Sequence, residues 1–237
     1  MVLVDGECQT ANGGPIESCC CLGYRNTYFN TKSSGVYTID NFGGVKCSNT
    51  RVYCDTISGG GGWLVIQRRK DGSVDFNKDW KNYEDGFGAL TGEFWFGLRG
   101  IHSITSKGQW ELRIDYKYTN GTEGYLSYSN FKVGPATEQY PLTISGFTGI
   151  TTDPITGSHS LNRMKFTTRD RDGDMSRQHN CAVSGHDGNN SGGWWYRSCT
   201  HFAPNNQYTD RYTVWLNGEV HQFQFVELKI RPIDCIM

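Results

Sequence analysis

The clearest hydrophobic pattern along the chain lies between residues 58 and 100. The apolar run at residues 63–66 follows four consecutive glycines, and its β-branched and aromatic side chains predict a buried strand. A second apolar run, at residues 93–98, predicts another buried segment. Between the two runs, aromatic residues recur at spacings of four, three and four, which predicts a short helix that Gly86 and Gly88 end early. These aromatic residues are Phe76, Trp80, Tyr83 and Phe87.

Alternation of apolar and polar residues continues the strand pattern further along the sequence. Residues 110–116 alternate with period two, as a half-buried strand does. Residues 125–133 continue the pattern after the Asn120-Gly121 turn, so an antiparallel hairpin is expected. Further strands are predicted at residues 35–40, 50–54, 142–144 and 223–230.

Residues 151–222 differ in character from both flanks. Gly, Asn, Asp and Ser dominate there, and regular periodicity disappears. A loop-rich stretch of this length inside a compact domain usually forms a binding surface. The functional site is therefore expected in this stretch. The basic run Arg68-Arg69-Lys70, by contrast, is interpreted as a solvated strand end.

Composition narrows the class of protein. The chain has 237 residues and a net charge of −1, so it is long enough for a large core and shows no electrostatic reason to bind nucleic acid or an anionic membrane. No apolar run approaches the roughly 20 residues that a membrane helix needs, so membrane insertion is not expected. The first residues are too short for a signal peptide, and a mature or recombinant form whose export signal was removed is expected.

The nine cysteines predict a secreted protein with disulfide bonds. Their spacing does not fit a zinc site, because no C-x-x-C pair faces a second one. The odd number leaves at least one thiol free or bonded to another polypeptide. Residues 1–20, which reach into the Cys19-Cys20-Cys21 cluster, form either a loosely ordered extension or an interchain disulfide region that builds an oligomer. Two sequons, at Asn120 and Asn189, agree with secretion as glycosylation sites.

The sharpest chemical cluster is the acidic run from Asp170 to Asp174. Carboxylates at alternate positions of a tight loop converge on one point, which suits a hard, oxygen-seeking cation such as calcium. An EF-hand is excluded, since position 12 counted from Asp170 is Cys181 and no helix pattern flanks the loop. The alternative is a solvated acidic turn that Arg169 and Arg171 neutralise.

A second cluster lies at residues 194–201, which read Trp-Trp-Tyr-Arg-Ser-Cys-Thr-His. Its composition is that of an aromatic floor beside a small polar tip, a surface that stacks on a sugar ring or a methyl group. For Trp194 and Trp195, a buried core strand is the favoured interpretation.

Together these motifs resemble the signature of the fibrinogen-related domain. The resemblance runs from about residue 21 to residue 233 and includes GGGW, VIQRR, DGSVDF, GFG, L-x-GEFW, SGVYTID, VYCD, WWYRSC and ELKIRP. It implies an α+β, fibrinogen C-terminal-like globular domain at residues 21–237 that follows the extension at residues 1–20. Within the domain, a small N-terminal β subdomain is expected at about 21–57, a central antiparallel sheet subdomain at 63–150, and a loop-rich calcium- and ligand-binding subdomain at 151–233.

The resemblance also implies disulfide pairs. The expected pairs are Cys21–Cys54 and Cys181–Cys199. Either Cys19 or Cys20 could replace Cys21 in the first pair. Pairing among the remaining cysteines stays open, and these include Cys8, Cys47 and Cys235.

The acidic run matches the calcium loop of the same family. The resemblance implies that calcium binds the carboxylates of Asp172 and Asp174 and the backbone carbonyls of two residues that follow. These two residues are Ser176 and Gln178. Because the loop has one residue more than the family pattern, His179 could replace Gln178.

Lectin members of the family bind an acetyl group beside the second cluster. A cis peptide bond, here Ser198–Cys199, directs backbone N–H groups at the acetyl oxygen. The pocket is expected to involve Tyr196, Ser198, Cys199, Thr200, His201, Tyr208 and Tyr212. The chain departs from the pattern because Asn190 replaces a pocket aromatic and Thr200 separates Cys199 from the histidine. The resemblance therefore supports calcium binding more strongly than acetyl specificity. The pocket could be displaced or serve another ligand.

Three functions follow from these features. The first is a secreted, calcium-dependent lectin of innate immunity, which recognises N-acetylated or other microbial glycans and gains avidity as a homo-oligomer. The alternative is an extracellular protein-binding module of the angiopoietin or tenascin type. An enzyme is not expected, since no G-x-S-x-G elbow, P-loop or H-E-x-x-H motif occurs and the family is not enzymatic.

Overall fold

The structure, a computed structural model, describes most of the chain. The described residues are 3–4, 7–8, 19, 33–42, 45–149, 151–157, 160–184, 192–200, 202–208, 213–216, 219–233 and 235. The strands in that part are β1 (Leu3–Val4), β2 (Glu7–Cys8), β3 (Gly35–Phe42), β4 (Val45–Asp55), β5 (Trp63–Arg69), β6 (Phe87–Gly88), β7 (Phe94–Trp95), β8 (Trp110–Tyr118), β9 (Glu123–Val133), β10 (Leu142–Gly149), β11 (Phe166–Thr167), β12 (Trp194–Trp195), β13 (Thr213–Leu216) and β14 (Glu219–Pro232). The helices are α1 (Trp80–Asp85), α2 (Leu98–Thr105) and α3 (Cys181–Ser184).

One antiparallel sheet organises the domain. Its strands follow the order β10-β9-β8-β14-β5-β4-β3, with β7 paired to β5 and β13 paired to β14. Strand β14 lies between β8 and β5, so that Leu228 pairs with Ile114 on one side and with Gln67 on the other. The chain leaves the sheet after β10 and returns to its centre as β14. The strand predicted at residues 223–230 lies within β14.

The β8–β9 hairpin has the geometry that its sequence pattern predicts. Buried and half-buried residues alternate along all of β8, because successive side chains of a strand point to opposite faces. Leu112 and Ile114 enter the core, while Arg113 and Asp115 lie on the opposite face. Gly121 closes the turn with φ of 88°, a conformation that favours glycine. The predicted hairpin is therefore confirmed.

Helix α1 is shorter than the aromatic spacing predicts. Asp79 accepts a hydrogen bond from the Asn82 amide at 3.0 Å and begins the helix. Gly86 ends it with φ of 94°, where a Cβ atom would lie 2.8 Å from the Phe96 carbonyl oxygen. Phe76 and Phe87 lie outside the helix and contact each other edge-on, with ring centroids 4.9 Å apart.

Arg68 and Arg69 are buried, so the interpretation of this run as a solvated strand end is wrong for both of them. The Arg68 Nε atom donates to Glu227 at 2.5 Å, and the Arg69 Nε atom lies 3.5 Å from a Glu93 oxygen. A buried charge persists where an opposite charge and hydrogen bonds compensate its lost hydration. Lys70, the next residue, is exposed as predicted.

The first disulfide differs from the expected pair. Cys54 bonds to Cys19, with Cα atoms 5.3 Å apart, and not to Cys21. Both cysteines of the pair are buried, and three consecutive cysteines in the sequence could not show which of them would point into the core. Cys235 is also disulfide-bonded. Cys20 and Cys21 lie outside the described residues.

The α+β class is confirmed by the dominance of one antiparallel sheet with a few short helices. The expected subdomain boundaries stay a prediction. The sheet crosses them, because it joins β4, β8 and β14, which come from three different predicted subdomains.

Candidate functional site

The loop-rich stretch is attached to the domain through an aromatic layer. Strand β11 pairs with β12, so that Phe166 lies opposite Trp195. The Phe166 ring meets the rings of Trp195 and Trp95 with centroids 5.0 and 5.9 Å apart. Trp194 and Trp195 are 2% and 1% exposed, which confirms them as core residues. The loops therefore rest on a packed aromatic layer.

Asp170 does not join the other carboxylates of the acidic run. Its Oδ1 atom accepts hydrogen bonds from the Trp80 amide and the Thr168 hydroxyl, each at 2.8 Å. This carboxylate therefore fixes the loop to the first turn of α1. Neither Arg169 nor Arg171 forms an ion pair with a described acid, and Arg171 instead lies 4.1 Å over the Trp80 ring.

Asp172 and Asp174 lie close together on backbone amides. Asp172 accepts a hydrogen bond from the Asp174 amide at 3.1 Å, while Asp174 accepts from the amides of Ser176 and Cys181 at 2.7 and 2.8 Å. Burial raises the pKa of the Asp174 carboxyl, and the neighbouring Asp172 charge raises it further against the hydrogen bonds from Cys181 and Ser176. A partly buried carboxylate and an exposed one are thus held side by side.

The chemistry of this pair fits calcium. Calcium takes six to eight oxygen ligands, and a divalent cation would offset the repulsion that raises the Asp174 pKa. Asp172 and Asp174 would supply the carboxylates, and the carbonyls of Ser176 and Gln178 stay predicted ligands. The described residues contain no group of three or more His, Cys, Asp and Glu side chains gathered around one point. Carbonyl oxygens and water would therefore have to complete the coordination.

A cavity of about 500 Å³ opens beside the acidic loop. Its walls are Met175, Ser176, Arg177, Gln178, His179, Ser198 and Cys199. His179 turns toward the disulfide, with its Nε2 atom 3.5 Å from the Cys199 sulfur. The cavity therefore adjoins the Cys181–Cys199 bond, which is the pair that the resemblance implied.

The peptide bond expected to be cis is trans. No peptide bond in the described part of the chain is cis, and Cys199 instead has φ of 50°. Its N–H group is directed at the Cys181 sulfur, 2.7 Å away. The disulfide and a hydrogen bond from the Met175 amide to the Arg197 carbonyl hold this backbone. The Cys199 amide is therefore not directed at a ligand in the way the resemblance implied.

Other predicted pocket residues are separated from the cavity. Tyr196 is 1% exposed and donates its hydroxyl to the Gly192 carbonyl at 2.7 Å, so this expected pocket residue does not line the cavity. Thr200 is buried and accepts from the Phe202 amide. Tyr208 donates to the carbonyl of Lys70, which directly follows β5, and to the carbonyl of Gln224, which lies within β14. Outside the described residues lie His201, Tyr212, Asn189 and Asn190.

Two cavity residues were missed by the sequence interpretation. Met175 is 60% exposed, and Arg177 is exposed beside it. Both alternate in the sequence with the predicted calcium ligands. Their position within the same loop was the signal that could have identified them as residues of the site. The sequon residue Asn120 is exposed at the β8–β9 turn, where its side chain accepts from the Thr122 amide at 2.9 Å.

Comparison with known proteins identifies relatives over most of the sequence. The model of the family "Fibrinogen beta and gamma chains, C-terminal globular domain" matches residues 24–233. Fibrinogen C domain-containing protein 1-B of Xenopus laevis is 39% identical over 237 residues, which cover 94% of this chain and 48% of that protein. Tenascin-R of Gallus gallus is 40% identical over 208 residues, which cover 85% of this chain and 14% of that protein. The chain thus spans about half or less of the length of these relatives.

Solved structures show the same fold. The fibrinogen-like globe domain of human ANGPTL6 superposes with a TM-score of 0.75 and 31% identity, and covers 86% of this chain and 91% of that domain. Within the described residues, no helix is both long enough and apolar enough to cross a membrane.

Proposed function

The protein belongs to the family defined by the C-terminal globular domain of the fibrinogen beta and gamma chains, and we propose that it acts as a secreted, calcium-dependent glycan-recognition domain. The observation that carries this proposal is the Asp172–Asp174 pair beside a polar cavity. Backbone amides hold the pair, and the raised pKa of Asp174 reflects burial and like charge that a cation would offset.

Calcium in this position would act through the loop that lines the cavity. Ser176 and Gln178 belong both to the predicted ligand set and to the cavity wall. Cations that fix these carbonyls would therefore also fix the shape of the wall. The disulfide Cys181–Cys199 limits the movement of the opposite wall, so calcium is the variable part of the site.

The wall offers groups that suit a glycan. Ser176, Ser198, Gln178 and Arg177 supply hydroxyl, amide and guanidinium donors, and exposed Met175 supplies an apolar contact. An open cavity of this kind binds single sugars weakly, so recognition of microbial surfaces would depend on several copies of the domain. Cysteines beyond the two described pairs, apart from the already bonded Cys235, would provide links between protomers.

The family and the site also support two broader expectations. Disulfides Cys19–Cys54 and Cys181–Cys199 support an oxidising, extracellular setting, in which Asn120 and Asn189 would carry glycans. We expect no enzymatic activity, because the proposed site combines a cation with a binding wall and assigns no residue to a nucleophile or general base.

A protein-binding module of the angiopoietin or tenascin type is the second candidate. The trans Ser198–Cys199 bond and the burial of Tyr196 favour it, since both remove parts of the expected acetyl pocket. Similarity to tenascin-R and to the ANGPTL6 globe domain supports the same candidate. In this case the cavity wall would contact a receptor or matrix protein.

Retention on an N-acetylated resin tests the proposal. We expect calcium to retain the wild type, and EDTA or Asp172→Ala to release it. The matched control is Asp71→Ala, which removes an exposed carboxylate outside the loop and should be retained like the wild type. Asp115 is unsuitable for this purpose, because its carboxylate contacts buried Lys229.

Calorimetry with calcium alone separates the two candidates. Calcium binding without retention on the resin, or on an array of other glycans, would move the function to a protein partner. An absence of calcium binding would overturn the proposal. Where binding occurs, calcium at 100 times its dissociation constant should stabilise the fold by about 2.7 kcal/mol.

A further inference from the structure

Residues 151–222 as a whole contain seven basic and seven acidic residues, but two segments of this stretch carry a local excess of positive charge. Residues 160–184 and 192–200 contain six Lys and Arg residues and three Asp residues. All six cations are exposed, and within the described structure none of their side chains forms a hydrogen bond or an ion pair. They are Arg163, Lys165, Arg169, Arg171, Arg177 and Arg197.

Within the described structure, the three carboxylates of these two segments do not pair with these cations. Asp170 accepts from the Trp80 amide, Asp172 from the Asp174 amide, and Asp174 from two further amides of the loop. Backbone N–H groups thus take up the acidic side chains. Among the residues that the structure describes, the basic side chains have no polar partner, and Arg171 stacks on the Trp80 ring.

Short contacts bring the segments that carry these cations together. The Cβ atom of Lys165 lies 3.1 Å from where a Cβ atom on Gly173 would be, and the Met175 amide donates to the Arg197 carbonyl at 2.5 Å. The β11–β12 pairing places Arg163 and Arg197 beyond the same end of the strand pair. We define the basic surface as Arg163, Lys165, Arg177 and Arg197.

The cavity next to these residues is suited to an anion. Arg177 and His179 line it, together with hydroxyl and amide side chains, and no carboxylate side chain does. An exposed guanidinium pairs with two oxygens of an anionic group at once, and three members of the basic surface are arginines. Repeated anionic groups along one polymer would engage several members together.

We propose that the basic surface binds a sulfated polysaccharide. Within residues 160–184 and 192–200, every Phe, Tyr and Trp ring is buried, so these segments offer no aromatic ring on which nucleic-acid bases could stack. The disulfides also place the protein where extracellular polysaccharides occur. This proposal goes beyond the proposed function, because it requires neither calcium nor an acetyl group.

Calorimetric titration with a sulfated heparin decasaccharide tests the proposal on the whole chain. We expect binding that persists in EDTA and weakens as salt screens the charges. The triple variant Lys165→Gln, Arg177→Gln and Arg197→Gln should lose about tenfold in affinity or more, which corresponds to three exposed ion pairs at the usual strength.

A matched triple variant controls for net charge. Arg51, Lys107 and Lys132 are also exposed cations without a described partner, but they lie outside the loop-rich stretch, on β4, after α2 and on β9. Their replacement by Gln should leave the affinity within about twofold of the wild type. Unfolding midpoints of both triple variants distinguish lost contacts from lost structure.

Several results would overturn the proposal. These are equal losses in both triple variants, equal binding of a desulfated decasaccharide, tighter binding of single-stranded DNA or of anionic vesicles, and loss of binding in EDTA. Failure of the N-acetylated resin experiment would leave the sulfated probe unaffected, so the two proposals fail separately.

Discussion

The central sheet and the loop-rich stretch hold their charges in opposite ways. On the sheet, the Lys229 Nζ atom lies 2.5 Å from Asp55, 2.5 Å from Asp115 and 2.9 Å from Glu227. In the loops, carboxylates accept from their own backbone while the cations stay unpaired in the described structure. The difference shows that net charge describes this molecule poorly. Charge on the sheet stabilises the fold, and charge in the loops remains for binding.

The same contrast appears in the carboxyl pKa values. Burial alone would raise the pKa of Asp55, but Lys229 and hydrogen bonds outweigh it and hold the pKa well below its usual value. Amide hydrogen bonds and Arg69 lower the pKa of Glu93 against burial in the same way. Burial and Asp172 raise the pKa of Asp174. Lys229 and Arg69 compensate the buried carboxylates on the sheet, whereas no cation of the described structure forms an ion pair with Asp172 or Asp174.

Replacing the buried lysine should produce the largest loss of stability. Lys229→Met removes the cation shared by three carboxylates: Glu227 keeps Arg68 and Asp115 keeps Arg113, but buried Asp55 loses its one described cation. We expect the free energy of unfolding to fall by about 3–5 kcal/mol. Urea unfolding measures it, with Lys132→Met as an exposed control that should change stability by less than about 0.5 kcal/mol. Equal effects of the two changes would remove the distinction between paired and unpaired cations.

Glu93→Gln should have the next largest effect. The carboxylate is fully buried and accepts from the amides of Lys70, Asp71, Gly72 and Val74. Glutamine keeps one acceptor oxygen and brings an NH₂ group that cannot accept. At least one of the four amides therefore loses its acceptor, and Arg69 loses the opposite charge beside it. We expect a loss of about 2–3 kcal/mol in urea unfolding. A loss as small as that of the exposed control Glu138→Gln would contradict this role.

Acid should separate the two regions in the presence of EDTA. Because the folded pKa of Glu93 is lowered, its contribution is present above the unfolded pKa of about 4.3 and is lost as pH falls through the folded value. The raised pKa of Asp174 acts in the opposite direction, so its protonation favours the fold as pH falls. Relative to the wild type, Glu93→Gln should therefore lose less stability in acid.

Asp174→Asn should lose stability more steeply than the wild type over the range from pH 7 to pH 4. Unfolding midpoints measured at several pH values check both slopes. Parallel curves for the wild type and the two variants would show that neither carboxyl contributes to the pH dependence.

The loop cations should have the smallest effect on stability. Combined replacement of Lys165, Arg177 and Arg197 by Gln removes three exposed side chains that have no described partner. We expect the free energy of unfolding to change by less than about 0.5 kcal/mol per site. A large loss in thermal unfolding would show that these cations stabilise the loops.

The sequence predicted those elements whose signal is local. Alternation along β8 and the Asn-Gly turn after it each depend on neighbouring residues, and both are confirmed. Burial of Arg68 could not be predicted, because its partner Glu227 is 159 residues away. Cys19 could not be separated from Cys21 for a similar reason, since orientation toward the core depends on packing.

The candidate site was predicted in part. The acidic run indicated a cation site, yet spacing could not show that Asp170 would turn to α1. The resemblance implied a cis bond and a pocket that involves Tyr196, whereas the structure has a trans bond and a buried Tyr196. Whether a backbone amide faces a ligand depends on how the backbone packs around the disulfide, and the order of residues does not contain that information.

The position of β14 also affects how the protein is made. Its partners β5 and β8 leave the ribosome long before it does, and Glu227 follows Arg68 by 159 residues. Until β14 arrives, both partners present open strand edges, which are the sites where incomplete polypeptides aggregate. Contacts this distant in sequence also slow folding. During most of synthesis, the central strands β5 and β8 therefore lack their partner β14. Chaperone protection matters most in that interval.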